Sequence, residues 1–390
     1  MKRFGDLERK YVLEALDNEF NTSLNNVFNA RLEKLFAEFF GVKYAIGFVN
    51  GTATLHTALA ACGVERGDEV VVPPLTMSSP AISVLQNGSV PVFADVDKET
   101  FNILPQSIEK VTTSRTKAIM PVALYGLSPD YDAIRKVTKK LPIIEDNAEC
   151  FLGTYKGKLV GTFGEFASFS FQASKHLTTG EGGMLVTDNE ELADKARKFS
   201  CLGYASVSSK KGKISREDIQ DPKYSRHVSV GFNYRMSEVN AAVALGQLER
   251  AKELVQIRLD VAKMFDQAVK GFSSVIPQKV PAGYVNSYWT YVVFLNTDKP
   301  EEDWYSFRKL FLKNGGDPYY AAWKLSYTEP LFQDTIQKME GVWQRYEKGL
   351  CPNAEYLQPR LIQLKTNYWE LDDAKRQAEI LNKTLKEWES

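Results

Sequence analysis

The lysine at position 175 is the residue whose surroundings point most directly to chemistry. It lies in the segment 168–183, Ser-Phe-Ser-Phe-Gln-Ala-Ser-Lys-His-Leu-Thr-Thr-Gly-Glu-Gly-Gly. A lysine can form a Schiff base with an aldehyde if its amine is held rigidly and partly desolvated, so that it is neutral and nucleophilic. A short strand followed by a glycine-rich turn would hold Lys175 in that way. An isolated lysine beside a turn is far more often an exposed side chain, so the hypothesis depends on the segments around it.

A second segment, residues 143–149, ends an apolar strand in a carboxylate. The sequence Ile-Ile-Glu-Asp-Asn-Ala-Glu places Asp146 directly after the apolar residues. A carboxylate there could pair with a protonated ring nitrogen and keep a bound heterocycle able to accept electrons. Taken alone, an aspartate after a strand is more often a helix cap.

A third segment has the features of a phosphate-binding turn. Gly51 and Thr52 stand between a predicted strand and a predicted helix, where free backbone N–H groups and a hydroxyl would face an anion. On their own these residues would simply cap the helix. An amine for an aldehyde, a carboxylate for a ring nitrogen and a turn for a phosphate together indicate pyridoxal 5'-phosphate (PLP) as the cofactor.

Apolar patterning predicts the elements that must position these residues. Short apolar, β-branched runs alternate with helical patterns from about residue 29 to 184, which argues for an α/β domain with a mainly parallel sheet. Such sheets bind ligands at the carboxyl ends of their strands. The predicted strands are 44–49, 69–72, 90–93, 118–122 and 142–145, and the predicted helices are 31–40, 53–62, 81–86 and 130–138.

The second half of the chain predicts a connector and a smaller domain. Residues 206–226 are polar and without periodicity, as in a long surface loop, and a long amphipathic helix is expected over 237–258 with Ser237 as its cap. We predict a large PLP-binding domain with an N-terminal helical segment over 1–250 and a small domain over 251–390. A strand at 288–295 and a helix at 372–388 are expected in the small domain.

Composition excludes several classes of protein. The 390 residues include 49 Lys plus Arg and 49 Asp plus Glu, so no net field favours nucleic acid or an anionic membrane. We do not expect the charged, amphipathic N-terminus to be a signal peptide, and no apolar run is long enough to span a bilayer. Four dispersed cysteines and three dispersed histidines give no metal-ligand spacing, and so we expect no metal. A cytoplasmic protein with reduced thiols is expected.

The segments containing Gly51, Asp146 and Lys175, with the run 231–238 (Gly-Phe-Asn-Tyr-Arg-Met-Ser-Glu), resemble a known family in their order and spacing. That family is the DegT/DnrJ/EryC1/StrS group of PLP-dependent sugar aminotransferases, and the resemblance runs from residue 29 to about 350. It implies the type I PLP-transferase fold. This α/β fold has a mostly parallel seven-stranded sheet flanked by helices in the large domain and a smaller C-terminal α+β domain.

The resemblance also implies roles for single residues. Lys175 would carry the cofactor, Asp146 would meet the pyridine nitrogen, and Ser170, five residues before the lysine, would bind the phosphate together with Gly51 and Thr52. The segment 231–238 on composition alone is an ordinary turn and cap. The resemblance gives its Asn233 a contact to the cofactor phosphate of a neighbouring subunit, and therefore implies a homodimer with shared active sites.

This sequence departs from the family pattern at two positions. Glu149 stands where many members have Gln or His, and is similar to the glutamate of members that aminate C4 of a GDP-linked keto sugar. Met77 stands where an aromatic ring often stacks on the cofactor. A thioether packs on a ring less well, and Met77 could instead belong to the core.

The expected activity is transfer of an amino group from L-glutamate to a nucleotide-linked keto sugar, such as a GDP- or dTDP-4-keto-6-deoxy-hexose, for cell-surface polysaccharide or amino-sugar biosynthesis. A PLP-dependent 3-dehydratase of the same family is the alternative enzyme, although Lys175 speaks against it, and a non-catalytic relative is a third possibility. Residues 317–324 could form an aromatic wall for the substrate or belong to the small-domain core. The loop 210–226 could clamp a diphosphate, although a solvated loop is the simpler reading.

Overall fold

A seven-stranded mixed sheet forms the centre of the structure. The structure is a computed structural model that describes residues 2–18, 27–209 and 220–390. In the first half of the described chain the strands are β1 (Tyr44–Phe48), β2 (Glu69–Val72), β3 (Val90–Phe93), β4 (Thr116–Ile119), β5 (Ile144–Asp146), β6 (Thr154–Tyr155), β7 (Lys158–Leu159), β8 (Phe166–Ser170) and β9 (Gly183–Thr187).

The sheet has the strand order β1-β9-β8-β5-β4-β2-β3. Two hydrogen-bonded groups, β1-β9-β8-β5 and β3-β2-β4, are joined by parallel bridges between Ile119 and Ile143 and between Val122 and Asp146. Only β9 runs against its neighbours, since it pairs antiparallel with both β1 and β8. The expected mostly parallel seven-stranded sheet is therefore confirmed, and its strands β2 and β3 are wholly buried, as strands covered on both faces must be.

Twelve α-helices of the described chain surround this sheet and build the C-terminal part. They are α1 (Asp6–Asp17), α2 (Val27–Phe40), α3 (Gly51–Ala61), α4 (Ser79–Gln86), α5 (Pro105–Val111), α6 (Tyr131–Thr138), α7 (Glu190–Phe199), α8 (Glu238–Glu249), α9 (Ala251–Val269), α10 (Pro300–Lys313), α11 (Pro352–Leu357) and α12 (Leu371–Trp388). Helices α1 and α2 pack on α8, while α3 packs on α4 and α7.

The predicted single helix over 237–258 is wrong, because the chain breaks at Arg250 into α8 and α9. The Arg250 guanidinium donates to Glu8 at 2.8 Å and to the carbonyl of Lys2 at 2.8 Å. The helix therefore breaks where Arg250 contacts the N-terminal segment, and no local sequence pattern predicts this contact. Ser237 caps α8 as expected, since its side chain accepts from the Asn240 N–H.

The C-terminal part has its own antiparallel sheet and core. Strands β10 (Val275–Pro277), β12 (Thr290–Leu295), β14 (Leu361–Lys365) and β13 (Tyr320–Ala321) pair in that order, and β11 (Tyr284–Val285) pairs with β6. Apolar residues from α9, α10 and α12 pack on this sheet in one buried cluster. This is the expected α+β arrangement, and the division of the chain at 250/251 stays a prediction.

None of the helices in the described ranges is both long and apolar enough to cross a membrane. Residues 210–219 of the proposed diphosphate-clamping loop lie outside the described residues.

A buried ion pair between α2 and α7 holds the outer strand β1. Arg197 Nη1 and Nη2 lie 2.7 and 2.6 Å from the two carboxylate oxygens of Glu33, and Glu33 Oε1 also accepts from the Gly47 N–H of β1 at 2.9 Å. Both side chains are about nine-tenths or more buried. Removal of one partner would leave a buried charge without compensation.

We therefore expect Arg197→Met to lower the free energy of unfolding by about 3–5 kcal/mol, because Glu33 stays buried and unpaired. Urea unfolding followed by circular dichroism measures it. The matched control is Lys195→Met on the same helix, whose exposed pair with Glu191 contributes about 0.5 kcal/mol or less. Equal losses in the two variants would contradict the role given to the buried pair.

Candidate active site

Lys175 lies in a turn just beyond the end of β8 and points into the crevice at the carboxyl ends of the strands. Its backbone N–H donates to the Gln172 carbonyl at 3.0 Å, and only 13% of its side chain is exposed. The amine Nζ lies 3.6 Å from Glu149 Oε1 and 4.1 Å from the centroid of the Trp289 ring. Lys175 is thus held and largely desolvated, as the sequence predicted.

Asp146 ends β5, next to β8 in the sheet. It pairs in parallel register with Ser168 and is 4% exposed. Burial raises the pKa of the Asp146 carboxyl to about 6, against the lowering effects of a hydrogen bond from the Ala148 N–H and of the Lys175 charge. A further cationic group at this carboxylate would favour its ionised form.

Glu149 is the second buried carboxylate beside the amine. Burial raises its pKa to about 7, although the positive charge of Lys175 and a backbone hydrogen bond oppose the shift. The hydrogen bond comes from the Tyr125 N–H, which donates to Glu149 Oε2 at 3.0 Å. Tyr125 has the left-handed φ of 61°, a strained conformation for a non-glycine residue. The strained residue Tyr125 is thus the one whose backbone N–H binds Glu149.

The predicted phosphate-binding turn forms the N-terminus of α3. Asn50 caps the helix by accepting from the Ala53 N–H at 2.8 Å, while the N–H groups of the first turn have no acceptor within the helix. A Cβ built on Gly51 would lie 3.0 Å from the Cβ of Ser170, so glycine allows the turn to approach that serine closely. The turn, Ser170 and the positive end of the helix dipole suit an anion.

The structure also locates the other three residues named from the sequence. The Thr52 hydroxyl lies 2.9 Å from the Ser79 hydroxyl, and Ser79 N–H lies 3.2 Å from the sulfur of Met77. Met77 is 48% exposed, so the alternative that it belongs to the core is wrong. Asn233 is exposed on the surface and pairs through its backbone with Cys201.

Three aromatic rings beside the amine were not predicted as one unit. Tyr125 stacks on Trp323 at 6.0 Å, and Trp323 stacks on Trp289 at 5.7 Å. Of the run 317–324, Trp323 thus joins the crevice, whereas Tyr319 is 3% exposed in the core of the C-terminal part. Trp289 and Tyr125 lie far from Lys175 along the chain, and no local motif marks them.

The three histidines are not grouped for chemistry. His56 is buried beside the Tyr234 hydroxyl, and burial lowers its pKa to about 4. The buried His176 ring lies 3.0 Å from the Ser287 carbonyl. Within the described ranges, no three His, Cys, Asp or Glu side chains are grouped so that they could hold a metal ion.

The residues of the crevice fit PLP. The Lys175 amine could bond to an aldehyde, the buried Asp146 carboxylate matches a protonated ring nitrogen, and the close approach of Gly51 to Ser170 leaves a cradle of N–H and hydroxyl donors for a phosphate. A desolvated lysine with these partners, at the carboxyl ends of a mostly parallel sheet, defines a PLP-dependent enzyme of the type I fold.

Comparison with known proteins identifies the family within this class. The model of the DegT/DnrJ/EryC1/StrS aminotransferase family matches residues 3–380. The chain belongs to this family and is a PLP-dependent sugar aminotransferase.

Curated relatives and solved structures agree with this assignment. The chain is 41% identical to the GDP-perosamine synthase of Caulobacter vibrioides over 298 residues, covering 75% of this chain and 76% of that protein. It is 35% identical to the GDP-perosamine synthase of Escherichia coli O157:H7, covering 92% and 89%. The aminotransferase of Psychrobacter cryohalolentis superposes with a TM-score of 0.84 at 29% identity, covering 99% of this chain and 98% of that chain.

The raised pKa of Glu149 predicts a pH dependence of stability. The folded chain binds this proton more tightly than the unfolded chain, so the contribution of Glu149 to stability falls as pH rises from about 4.5 to about 7. In the cofactor-free protein the loss should amount to roughly 3 kcal/mol for a shift of this size. Glu149→Gln should therefore lose less stability than the wild type between pH 4.5 and 7.5.

Urea unfolding of both cofactor-free proteins across that pH range measures the difference. Asp146 titrates in both proteins and serves as the internal reference. Parallel stability curves for the two proteins would contradict the raised pKa of Glu149.

Proposed function

We propose that this enzyme transfers an amino group from L-glutamate to C4 of a GDP-linked 4-keto-6-deoxy sugar, with GDP-4-keto-6-deoxy-mannose as the preferred acceptor. The observation that carries the transfer reaction is the desolvated Lys175 amine, 3.6 Å from Glu149 and 13% exposed, beside the buried Asp146. The GDP-linked sugar is supported by Glu149 and by two relatives named GDP-perosamine synthase.

Lys175 has two successive roles in this proposal. It would hold the cofactor covalently, and its free amine would act as a general base toward the proton at Cα of L-glutamate and later as a general acid. The chemistry that PLP would supply when bound is that of an electron sink for the carbanion at Cα. The same groups act in reverse order on the keto sugar.

The other crevice residues hold charge and position. Asp146 keeps the proton on the ring nitrogen, and Gly51, Thr52 and Ser170 bind the phosphate. Glu149 lies 3.6 Å from the amine, and burial raises its pKa to about 7, so its carboxyl can accept or donate a proton in the crevice near neutral pH. The exposed Met77 side chain would pack on the cofactor ring.

The partly exposed rings of Trp289 and Trp323 support a flat or cyclic substrate at the open side of the crevice. They form a wall that begins 4.1 Å from the Lys175 amine, and the buried Tyr125 ring stacks on Trp323. Such apolar ring faces pack well on sugars and bases while their edges still form hydrogen bonds. We place the acceptor sugar between this wall and Lys175.

We also propose a homodimer with shared active sites in the cytoplasm. Asn233 is exposed, and its neighbours Val228, Val230 and Phe232 are 59%, 82% and 39% exposed. Exposed apolar residues so close together are typical of an interface. A second copy packed here would shield them and would bring Asn233 toward the partner's phosphate turn. The four free cysteines suit a reducing compartment.

Purified enzyme given L-glutamate and GDP-4-keto-6-deoxy-mannose should form a GDP-linked amino sugar and 2-oxoglutarate, seen by mass spectrometry. Lys175→Ala should bind PLP without a borohydride-stable link and lose about 10³-fold or more in rate, because it lacks both anchor and base.

Each other outcome has a defined meaning for the proposal. Release of ammonia with a deoxy sugar as product would instead indicate a 3-dehydratase. A solved structure of that class, GDP-4-keto-6-deoxymannose-3-dehydratase with bound GDP-perosamine, is similar to this chain. It superposes with a TM-score of 0.82 at 25% identity, covering 97% of this chain and 98% of that one. If the absorption spectrum of the PLP-loaded protein did not change when L-glutamate was added, the protein would be a non-catalytic relative. A Lys175→Ala protein at normal rate would refute the role of Lys175.

Mixing two inactive variants tests the shared sites. Lys175→Ala and Asn233→Ala place their defects on different chains of one site, so an equal mixture should recover up to about a quarter of wild-type activity through hybrid dimers. Mixing Lys175→Ala with Asp146→Asn, whose two residues lie in the same chain's crevice, is the control and should recover none. Equal recovery in both mixtures, or none in either, would contradict a site shared through Asn233.

A further inference from the structure

The backbone carbonyls of the lysine turn face an arginine that is almost completely buried. Arg258 lies on α9 and is 1% exposed. Its Nη2 donates to the carbonyls of Ser174 and Lys175, at 3.0 Å each. The guanidinium thus binds the main chain of the residue whose side chain carries the chemistry.

The other end of the same guanidinium binds the C-terminal part of the chain. Arg258 Nη1 donates to the Trp289 carbonyl at 2.7 Å and to the Thr366 hydroxyl at 3.2 Å. The Trp289 ring in turn donates from Nε1 to the Ser174 carbonyl at 3.0 Å. Through Arg258 the lysine turn is therefore tied to the beginning of β12 and to the residue that follows β14.

A second arginine approaches the turn from the N-terminal segment. Arg3 Nη2 donates to the Ala173 carbonyl and, at 3.2 Å, to the Lys175 carbonyl. The carbonyl of Arg3 accepts from Gln247 at 2.9 Å and from Arg250 at 3.3 Å, which fixes this segment against α8. Two guanidinium groups thus converge on the carbonyl of Lys175.

The charge of Arg258 is costly where it lies. In the part of the chain that the structure describes, no carboxylate lies within ion-pair distance of Arg258 or Arg3, and burial lowers the pKa of Arg258 to about 9, with the Arg3 charge contributing. A buried cation without a counterion is destabilising unless its hydrogen bonds compensate. The hydrogen bonds that Arg258 forms are those that set the position of the lysine turn and of Trp289.

We propose that Arg258 is a positioning residue for the Lys175 amine, with Arg3 as its second support. Its planar fork of donors holds the turn so that the amine stays between Glu149 and Trp289. The proposal rests on the proposed role of Lys175, and its structural part can be tested without catalysis.

The experiment compares Arg258→Lys and Arg258→Met with the wild type. Lysine keeps the charge but cannot reproduce the bidentate fork, and methionine fills the volume without donors. Arg197→Lys is the matched control, because it alters another buried arginine that is paired with Glu33, away from the turn. The measurements are hydrogen exchange of the cofactor-free proteins, kcat and KM for both substrates, and the unfolding midpoint.

We expect faster exchange confined to residues 172–180 in both Arg258 variants, larger in Arg258→Met. We expect kcat to fall about 10- to 100-fold in Arg258→Met, since small displacements of a catalytic group cost this much. Arg258→Lys should be intermediate, and KM for L-glutamate should change less than about twofold. KM for the sugar can change more, because Arg258 also holds Trp289 of the proposed sugar-binding wall. Arg197→Lys should leave the exchange of 172–180 and kcat unchanged.

The proposal would be overturned if hydrogen exchange at residues 172–180 were the same in the Arg258 variants as in the wild type. It would also be overturned if Arg197→Lys lowered kcat by as much as the Arg258 variants at an equal loss of the unfolding midpoint. If Arg258→Met does not fold, Arg258→Lys and Arg3→Met decide it, because Arg3 donates to the same carbonyl from the chain terminus. If the protein lacks transaminase activity altogether, the proposed function fails. Hydrogen exchange at residues 172–180 would still show whether Arg258 holds the lysine turn.

Discussion

Three ionisable side chains that share one water-poor crevice are the constraint on which the rest of the structure depends. Lys175, Asp146 and Glu149 are each mostly or fully buried, and each carboxyl has its pKa raised by burial and lowered by the lysine charge. Neither carboxylate would stay charged alone at this depth. The positive charge of Lys175 therefore favours the ionised form of both carboxylates.

The fold satisfies this constraint by bringing strand ends together. Asp146 ends β5, and the Lys175 turn follows the neighbouring β8. The bridge between Val122 and Asp146 brings the segment that leads to Tyr125 alongside, so that its N–H reaches Glu149. Parallel strands thus deliver residues distant in sequence to one edge of the sheet, as α/β folds do.

The lysine turn is held by parts of the chain on three sides. Arg3 comes from the N-terminal segment, Arg258 from α9 and Trp289 from the start of β12. A turn of the main chain has little packing of its own, and its position follows from what binds its carbonyls. The position of the amine in a sugar aminotransferase of this fold is thus decided as much by the C-terminal part as by the strand that precedes it.

The sequence by itself determined the family, and the resemblance to that family implied the seven-stranded sheet. Local patterns marked Lys175, Asp146 and the Gly51 turn as candidates, because short patterns encode strand ends, glycine turns and carboxylates. It also marked Glu149 as a departure from the family. Only the tertiary structure decided the helix break at Arg250, the exposure of Met77 and the stack of Tyr125, Trp323 and Trp289. The same holds for the hydrogen bonds from Arg258 to the lysine turn. One signal for Arg258 existed, a charge four residues after Leu254 on the apolar stripe of a helix. Its partners, however, are backbone carbonyls, and hydrogen bonds to the main chain leave no mark in side-chain patterns.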